Sequence, residues 1–202
     1  MYEKYFKRSF DVIISVLALL ILFPILIIIA ILVKLKLGSP IIFKQERPGL
    51  HGEIFTMYKF RSMTECNNVQ EQISTDEMRL VPFGNKLRAS SLDELPELIN
   101  VLKGEMSLIG PRPLLSEYLE LYNEHQKKRH LVKPGISGYA QVNGRNSITW
   151  DEKFDLDVEY VENVSFIGDL KIILFTVKKV FQRDGINSQK SVTMEAFKGN
   201  RN

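Results

Sequence analysis

The chain has 202 residues, with 27 Lys and Arg against 24 Asp and Glu, a net charge of +3, hydrophobic residues at 45%, 12 Gly, 8 Pro and a single Cys. This composition excludes a disordered chain, a collagen-like repeat and a disulfide scaffold, since Cys66 has no second cysteine to pair with. The length suits one ordinary core with a small appendage, and the mildly basic balance suits an anionic partner such as lipid, phosphate or nucleotide.

The apolar residues are concentrated at the start. Val12 to Val33 is a run of 22 residues without a charge, and Ser15 is its only polar side chain. At ~1.5 Å per residue a helix of that length covers a hydrocarbon core of ~30 Å. A core helix of a soluble domain is rarely apolar on every face for so long. The run ends in Lys34-Leu35-Lys36-Leu37, not in the small residues of a cleavage site. Pro24 lies near its middle, where the missing N–H and the ring bend or break a helix. Lys4, Lys7 and Arg8 precede the run, and Lys34, Lys36 and Lys44 follow it. Cations at both ends give no asymmetry to orient a spanning helix. A helix that enters and leaves by one face keeps both groups beside anionic headgroups, whereas a proline-kinked spanning helix also satisfies the pattern.

Gly38-Ser39-Pro40 is a turn that closes this segment. Ile41–Phe43 and Ile54–Phe60 are β-prone and predict a hairpin with a long loop at Arg47–Gly52. Thr64–Glu77 is polar and predicts an exposed loop or short helix. Leu95–Leu102 has a helical pattern that stops at Gly104, and Pro111 and Pro113 force an extended turn. Leu114–His130 spaces Leu114, Leu115, Tyr118, Leu121 and Tyr122 as a helix does. Lys133–Gly138 is loop chemistry, Gly144-Arg145-Asn146 a turn, and Trp150–Val161 a helix. Asp169–Arg183 places Leu170, Ile173, Leu174, Val177, Val180 and Phe181 on one face, with Lys171, Lys178, Lys179 and Arg183 around the rest. Such a helix either lies among lipid headgroups or packs on a core with its basic face in water. From Gly185 the polarity predicts a loosely held tail.

Dinucleotide and Walker phosphate loops and zinc-type Cys/His spacings are missing from the sequence, and His51, His125 and His130 are too dispersed to suggest a catalytic pair. What carries chemistry is Ser91-Leu92-Asp93-Glu94-Leu95-Pro96. Ser91 and Glu94 form a capping-box spacing, although a helix starting at Leu95 or Pro96 accommodates the proline better. Plain capping explains the acidic pair. So does a division of labour in which one carboxylate is a nucleophile and its neighbour holds a divalent cation. Arg88, Arg112 between two prolines, and Arg145 after Gly144 are ordinary surface cations one by one. Beside a carboxylate pair and a membrane anchor, their forked guanidiniums suit a diphosphate at the bilayer surface.

Lys59-Phe60-Arg61-Ser62-Met63, Ser91 to Pro96, Ser107-Leu108-Ile109-Gly110-Pro111-Arg112-Pro113 and Lys133 to Gly138 stand in the order and spacing of a known family. The sequence resembles the bacterial sugar transferases, the monotopic phosphoglycosyl transferases, and among them the short PglC-type enzymes, from its basic start to about Arg183. The resemblance implies transfer of a sugar 1-phosphate from a UDP-sugar to undecaprenyl phosphate, with release of UMP, as the first step of glycan assembly. It implies that Asp93 attacks the β-phosphorus and carries the phosphosugar as a covalent intermediate, and that Glu94 helps to hold Mg²⁺. Arg88, Arg112 and Arg145 are the matching candidates for the phosphates. Lys59 and Asp157 are further candidates, and Pro111 and Pro113 would shape the pocket. The family usually breaks its membrane helix at a Ser-Pro pair, and Phe23-Pro24 stands there in this chain.

The expected fold is therefore α+β and mostly helical. Residues 1–38 form a re-entrant membrane helix kinked near Pro24, and 39–184 a catalytic domain with a short hairpin and interfacial amphipathic helices. Residues 185–202 form a polar tail. The expected place is the bacterial inner membrane, with the catalytic domain on the cytoplasmic face among lipid headgroups. Two other readings compete: a metal-dependent phosphohydrolase or ordinary glycosyltransferase, which would release phosphate or UDP, and a non-enzymatic scaffold. Nucleic acid is not an expected partner, because the net charge is small and no aromatic–basic array is present.

Overall fold

The computed structural model describes residues 2–64, 79–144, 148–182 and 196–199. A short helix α1 (Tyr2–Tyr5) leads into α2 (Lys7–Leu37), 31 residues long and therefore about 46 Å by helical rise. Its most apolar stretch has a mean hydropathy of 3.5. Pro24 lies inside it without interrupting it, so the helix is bent at most and is not broken there.

Both ends of α2 rest on the same body of protein. At the start Lys7, Asp11 and Ser15 are buried, and at the far end Ile29, Val33 and Leu37 are buried, each set spaced four apart on one face. Lys7 Nζ lies 2.5 Å from Asp169 Oδ2. Arg8 donates to the carbonyl oxygens of Val101 and Leu102, and Leu108 N–H donates to Asp11 Oδ1 over 3.1 Å. Ile29, Val33 and Leu37 pack with Phe60 and Leu87. Between the two footings Val16, Leu17, Leu20, Ile21, Phe23, Ile25, Ile27 and Ile28 are exposed. Gly38, at φ +82, ends the helix.

Strands β1 (Ile42–Pro48) and β2 (Ile54–Phe60) form an antiparallel hairpin that pairs Gln45 with Met57. The first strand runs five residues beyond the expected Phe43, which shortens the loop to a single 3₁₀ turn at Leu50–Gly52. Helix α3 (Pro82–Ala89), not evident from the sequence pattern, is followed by α4 (Glu97–Lys103). Gly104, at φ +87, stops α4 as expected. Strand β3 (Ser107–Ile109) pairs in parallel with β4 (Gly135–Ser137), which the sequence presents as loop. Leu114–His130 is not one helix. It divides into a 3₁₀ stretch (Ser116–Leu121), the short α5 (Glu124–Lys127) and a second 3₁₀ turn (Lys128–Leu131). Asn123 restarts the chain with a full capping box to Gln126.

Helices α6 (Tyr139–Asn143), α7 (Trp150–Glu162) and α8 (Phe166–Gln182) complete the described elements. Buried Asp169 and Ile172, with the Thr176 hydroxyl 2.6 Å from that of Ser137, face α8 inward. Phe166, Ile167, Leu170, Leu174, Phe175 and Val177 stay exposed, so the apolar stripe read from the sequence is largely the uncovered side. Most of the expected Thr64–Glu77 loop and of the tail lies outside the described residues. Where the tail is described, Phe197 is buried among Tyr118, Tyr122 and Phe154, 5.0 Å from the Phe154 ring.

The β3–β4 crossing depends on glycine. A Cβ at Gly138 would stand 2.2 Å from the Gly110 carbonyl oxygen, and one at Gly135 would stand 2.1 Å from the Gly110 nitrogen. Backbone cannot yield as a flexible side chain can. Gly138→Ala is expected to lower stability by about 1–3 kcal/mol in chemical denaturation, the range for overpacking, while Gly52→Ala, which meets no atom closer than 3.7 Å, loses mainly the freedom its positive φ requires.

Candidate active site

Ser91 sits at φ +55, a left-handed conformation uncommon outside glycine, and its side chain makes no capping bond. The capping-box reading therefore fails: α4 starts at Glu97, after Pro96, and Asp93 and Glu94 lie on a separate 3₁₀ turn (Leu92–Glu94) ahead of it. That turn presents both carboxylates to a cavity of about 1030 Å³. Lys59, Arg88, Arg112 and Asp157 line the same cavity, so five of the residues singled out from sequence meet there together with Glu94. Pro111 and Pro113 are buried behind it. The Pro111 carbonyl accepts the Gly135 N–H at 3.0 Å, which fixes the loop that carries Arg112. Arg145 falls outside the described residues.

Glu94 is the most tightly held group. Lys59 Nζ lies 2.9 Å and Arg112 Nη2 2.5 Å from it, and both bonds fall on Oε1. Lys59 also reaches Glu97 Oε1 at 3.1 Å, so one ammonium bridges two carboxylates. Burial pushes the Glu94 carboxyl up, but the charges and hydrogen bonds of Arg112 and Lys59 outweigh it and hold the group well below the usual carboxylate range. Asp93 is buried and accepts neither of those bonds. Burial, and then the Glu94 charge, raise it to about 6, against the pull of Lys59, Arg112 and Arg88. Burial raises Glu97 to about 7 despite Lys59. The pair is thus split: one carboxylate permanently ionised, its neighbour poised near neutrality.

A second layer fixes the cations. Arg88 Nε donates to Ser62 Oγ at 2.9 Å, and Arg61 ties the end of β2 to the Ser39 carbonyl. The whole Lys59–Met63 segment lines the cavity, and two of its residues, Arg61 and Ser62, also hold neighbouring groups in place. Asp157 is buried against Arg129 at 2.8 Å, and Arg129 Nη2 also donates to the Arg112 carbonyl oxygen at 2.7 Å. Asp157 thus touches the cavity and braces Arg112 through Arg129.

Glu97, Arg47 and Lys153 line or adjoin the site without having been singled out. Glu97 follows Glu94 by three positions, the spacing of neighbours on a helix face. Arg47 shares the face of β1 that carries Phe43 and Gln45, an alternation hidden when it is read as loop. None of the three histidines lines the cavity. Among the described residues no group of three or more His, Cys, Asp or Glu side chains is gathered for a metal ion.

The model of the bacterial sugar transferase family matches residues 2–183. The chain belongs to that family. This sugar transferase is 52% identical over 193 residues to a Bacillus subtilis protein named "Uncharacterized sugar transferase EpsL", with 96% of each chain covered. It is 41% identical over 189 residues to the Escherichia coli UDP-glucose:undecaprenyl-phosphate glucose-1-phosphate transferase, covering 89% of this chain but 41% of that one. It is 37% identical over 200 residues to the Salmonella typhimurium undecaprenyl-phosphate galactose phosphotransferase, covering 42% of it. The transferase therefore spans nearly all of the EpsL protein and about two fifths of the two named phosphotransferases.

The buried Arg129–Asp157 pair makes a direct prediction. Asp157→Asn leaves the Arg129 guanidinium buried without its counter-charge, which costs about 3–5 kcal/mol. Thermal melting of the purified protein should show a large drop for Asp157→Asn and a much smaller one for the exposed pair His125–Asp155 after Asp155→Asn.

Proposed function

We propose that the chain transfers a sugar 1-phosphate from a UDP-sugar to undecaprenyl phosphate and releases UMP, through an aspartyl-phosphosugar intermediate on Asp93. The observation that carries this reading is a buried, partly protonatable carboxylate facing a large cavity, beside a second carboxylate that two cations keep ionised. The named phosphotransferase relatives lend the substrate classes.

In the first half-reaction an Asp93 carboxylate oxygen forms a bond to the β-phosphorus. The bond from that phosphorus to the bridging oxygen breaks, and its electron pair leaves with UMP. In the second, an oxygen of the lipid phosphate attacks the same phosphorus, and the bond to Asp93 breaks. Division into two steps spares two phosphates a direct approach to each other. Arg112 and Arg88 would stabilise charge on the transferring group. Glu94, whose cationic partners both sit on one oxygen, would hold Mg²⁺ together with the donor's phosphate oxygens. One or two protein carboxylates completed by substrate is the usual protein share for this ion. When bound, the ion would neutralise charge on the diphosphate.

The membrane reading is a re-entrant helix, with the domain on the cytoplasmic face of the bacterial inner membrane. Its support is that Lys7–Ser15 and Ile29–Leu37 both rest on one body while the apolar middle stands free. The uncovered Leu170, Leu174 and Val177 of α8, with Lys171, Lys178 and Lys179 beside them, suit the headgroup layer.

Intact-mass measurement of the full chain after incubation with a panel of UDP-sugars and Mg²⁺, without acceptor, should show one added hexose-phosphate-sized mass, missing in Asp93→Asn. Release of UDP rather than UMP would overturn the proposal. The same adduct gives a pH test. Protonated Asp93 cannot attack, so the initial rate should be flat above about 7 and fall roughly tenfold per unit below about 6, as the nucleophile takes up its proton.

A further inference from the structure

The cavity is lined by two chemically distinct sets of residues. Ile14, Ala18 and Leu22 of α2, with Ile173 and Val177 of α8, are apolar. Arg47, Arg112 and Lys153 are cationic. Ile42 packs against the group formed by Val33 and Leu37 at the far end of α2, and Arg47 stands five residues farther along β1, about 17 Å from it at the rise of an extended strand. The groups that act on Arg47 are Arg112, Glu97, Tyr118 and Tyr122, and none belongs to α2.

Arg47 is an unusual cation. Gln45 Oε1 accepts from its Nη2 at 2.7 Å and aims the guanidinium. Its Nε is buried without a hydrogen-bond partner, and no carboxylate pairs with it among the described residues. Nearby Arg112 is already committed to Glu94, so the two guanidiniums share no anion. Burial, and then the Arg112 charge, depress Arg47 to about 10, while burial brings Lys153 to about 8. A half-buried donor with an empty valence, next to a second cation on a cavity wall, is what a phosphate would complete.

We propose that Arg47, beside Arg112 and on the cavity that Lys153 also lines, forms a phosphate subsite for the nucleoside monophosphate that leaves the donor. This rests on the reaction proposed above. As the phosphorus–oxygen bond breaks, the electron pair goes to the UMP phosphate, and Arg47 donates to the oxygens that gain charge. No group that acts on Arg47 belongs to α2, so the charge of the lipid phosphate is met by other residues.

The test is UMP binding to the full chain in lipid nanodiscs by calorimetry, with uridine as the phosphate-free probe. Arg47→Ala should weaken UMP at least tenfold and leave uridine unchanged, and Arg47→Lys should recover part of the loss. The KM for undecaprenyl phosphate should move less than twofold. Unchanged melting curves, and the Lys variant, separate lost contact from lost fold. Wild-type affinity for UMP in Arg47→Ala would overturn the assignment. So would a raised KM for undecaprenyl phosphate with UMP binding intact, which would hand Arg47 to the lipid phosphate. A wild-type protein that forms the covalent adduct but loses no UMP affinity in Arg47→Ala refutes the subsite alone. A wild-type protein that binds no UMP and forms no adduct refutes the functional reading with it.

Discussion

Three acidic side chains, buried Asp93 and Glu97 and half-buried Glu94, stand within five positions of one another, and the site depends on how that charge is balanced. Water is too scarce there to screen them, so charge must be met by charge. Lys59 arrives from the hairpin, 35 residues earlier, and bridges Glu94 and Glu97; Arg112 arrives from the loop after β3, 18 residues later, and takes Glu94 again. Two cations on one carboxylate make its ionisation permanent. Asp93, left outside those bonds, carries the cost of burial and of its neighbour's charge, and for that reason titrates near neutrality. The difference between the two adjacent residues arises from partners, not from their own chemistry.

The same partners explain the layout of the fold. Helix α4 begins at Glu97, and its last carbonyls, at Val101 and Leu102, receive the Arg8 guanidinium of α2. Asp11 of that helix holds the Leu108 N–H, four residues before Arg112, and Lys7 holds Asp169 of α8. The Tyr160 hydroxyl stands 2.8 Å from Asp169 and 3.0 Å from the Ile109 carbonyl. The foot of α2, the carboxylate turn and the Arg112 loop are thus tied through backbone groups that cannot drift separately. A polar cluster at the start of an apolar helix sets the distance between that helix and the chemistry.

What could be read in the sequence had a local cause. The length of the apolar run, the stop at Gly104, the helix from Trp150 and the acidic pair after Ser91 are each visible within a short window. What could not be read depended on distant partners. Ser91 looks like a cap because of its spacing to Glu94, yet Pro96 delays α4 and the pair ends on a turn of its own. Strand β4 is hidden in a Lys-Pro-Gly loop because its reason to be extended is β3, lying against glycine at Gly110 and Gly138. Glu97 reads as one more helix-surface acid until Lys59 is seen beneath it. Phe197 reads as a stray aromatic in a polar tail until the Tyr118–Phe154 cluster is formed to receive it. Arg47 was lost for the simplest reason: a strand that ends five residues early in the reading becomes a loop, and a loop has no inward face.

The cavity's mixed lining bears on why a single carboxylate can serve two substrates of opposite solubility. On the proposed reaction, the donor comes from water and the acceptor from the bilayer, and both phosphates must reach the phosphorus on Asp93 in turn. Apolar lining from α2 and α8, together with the cations Arg47, Arg112 and Lys153, offers surfaces suited to each substrate in one cavity. The membrane helix then does more than anchor. On the proposed re-entrant placement, with its two ends bound to the domain and its middle uncovered, it would hold the shared carboxylate at the depth of a lipid phosphate, and the search for the acceptor would become a search in a plane.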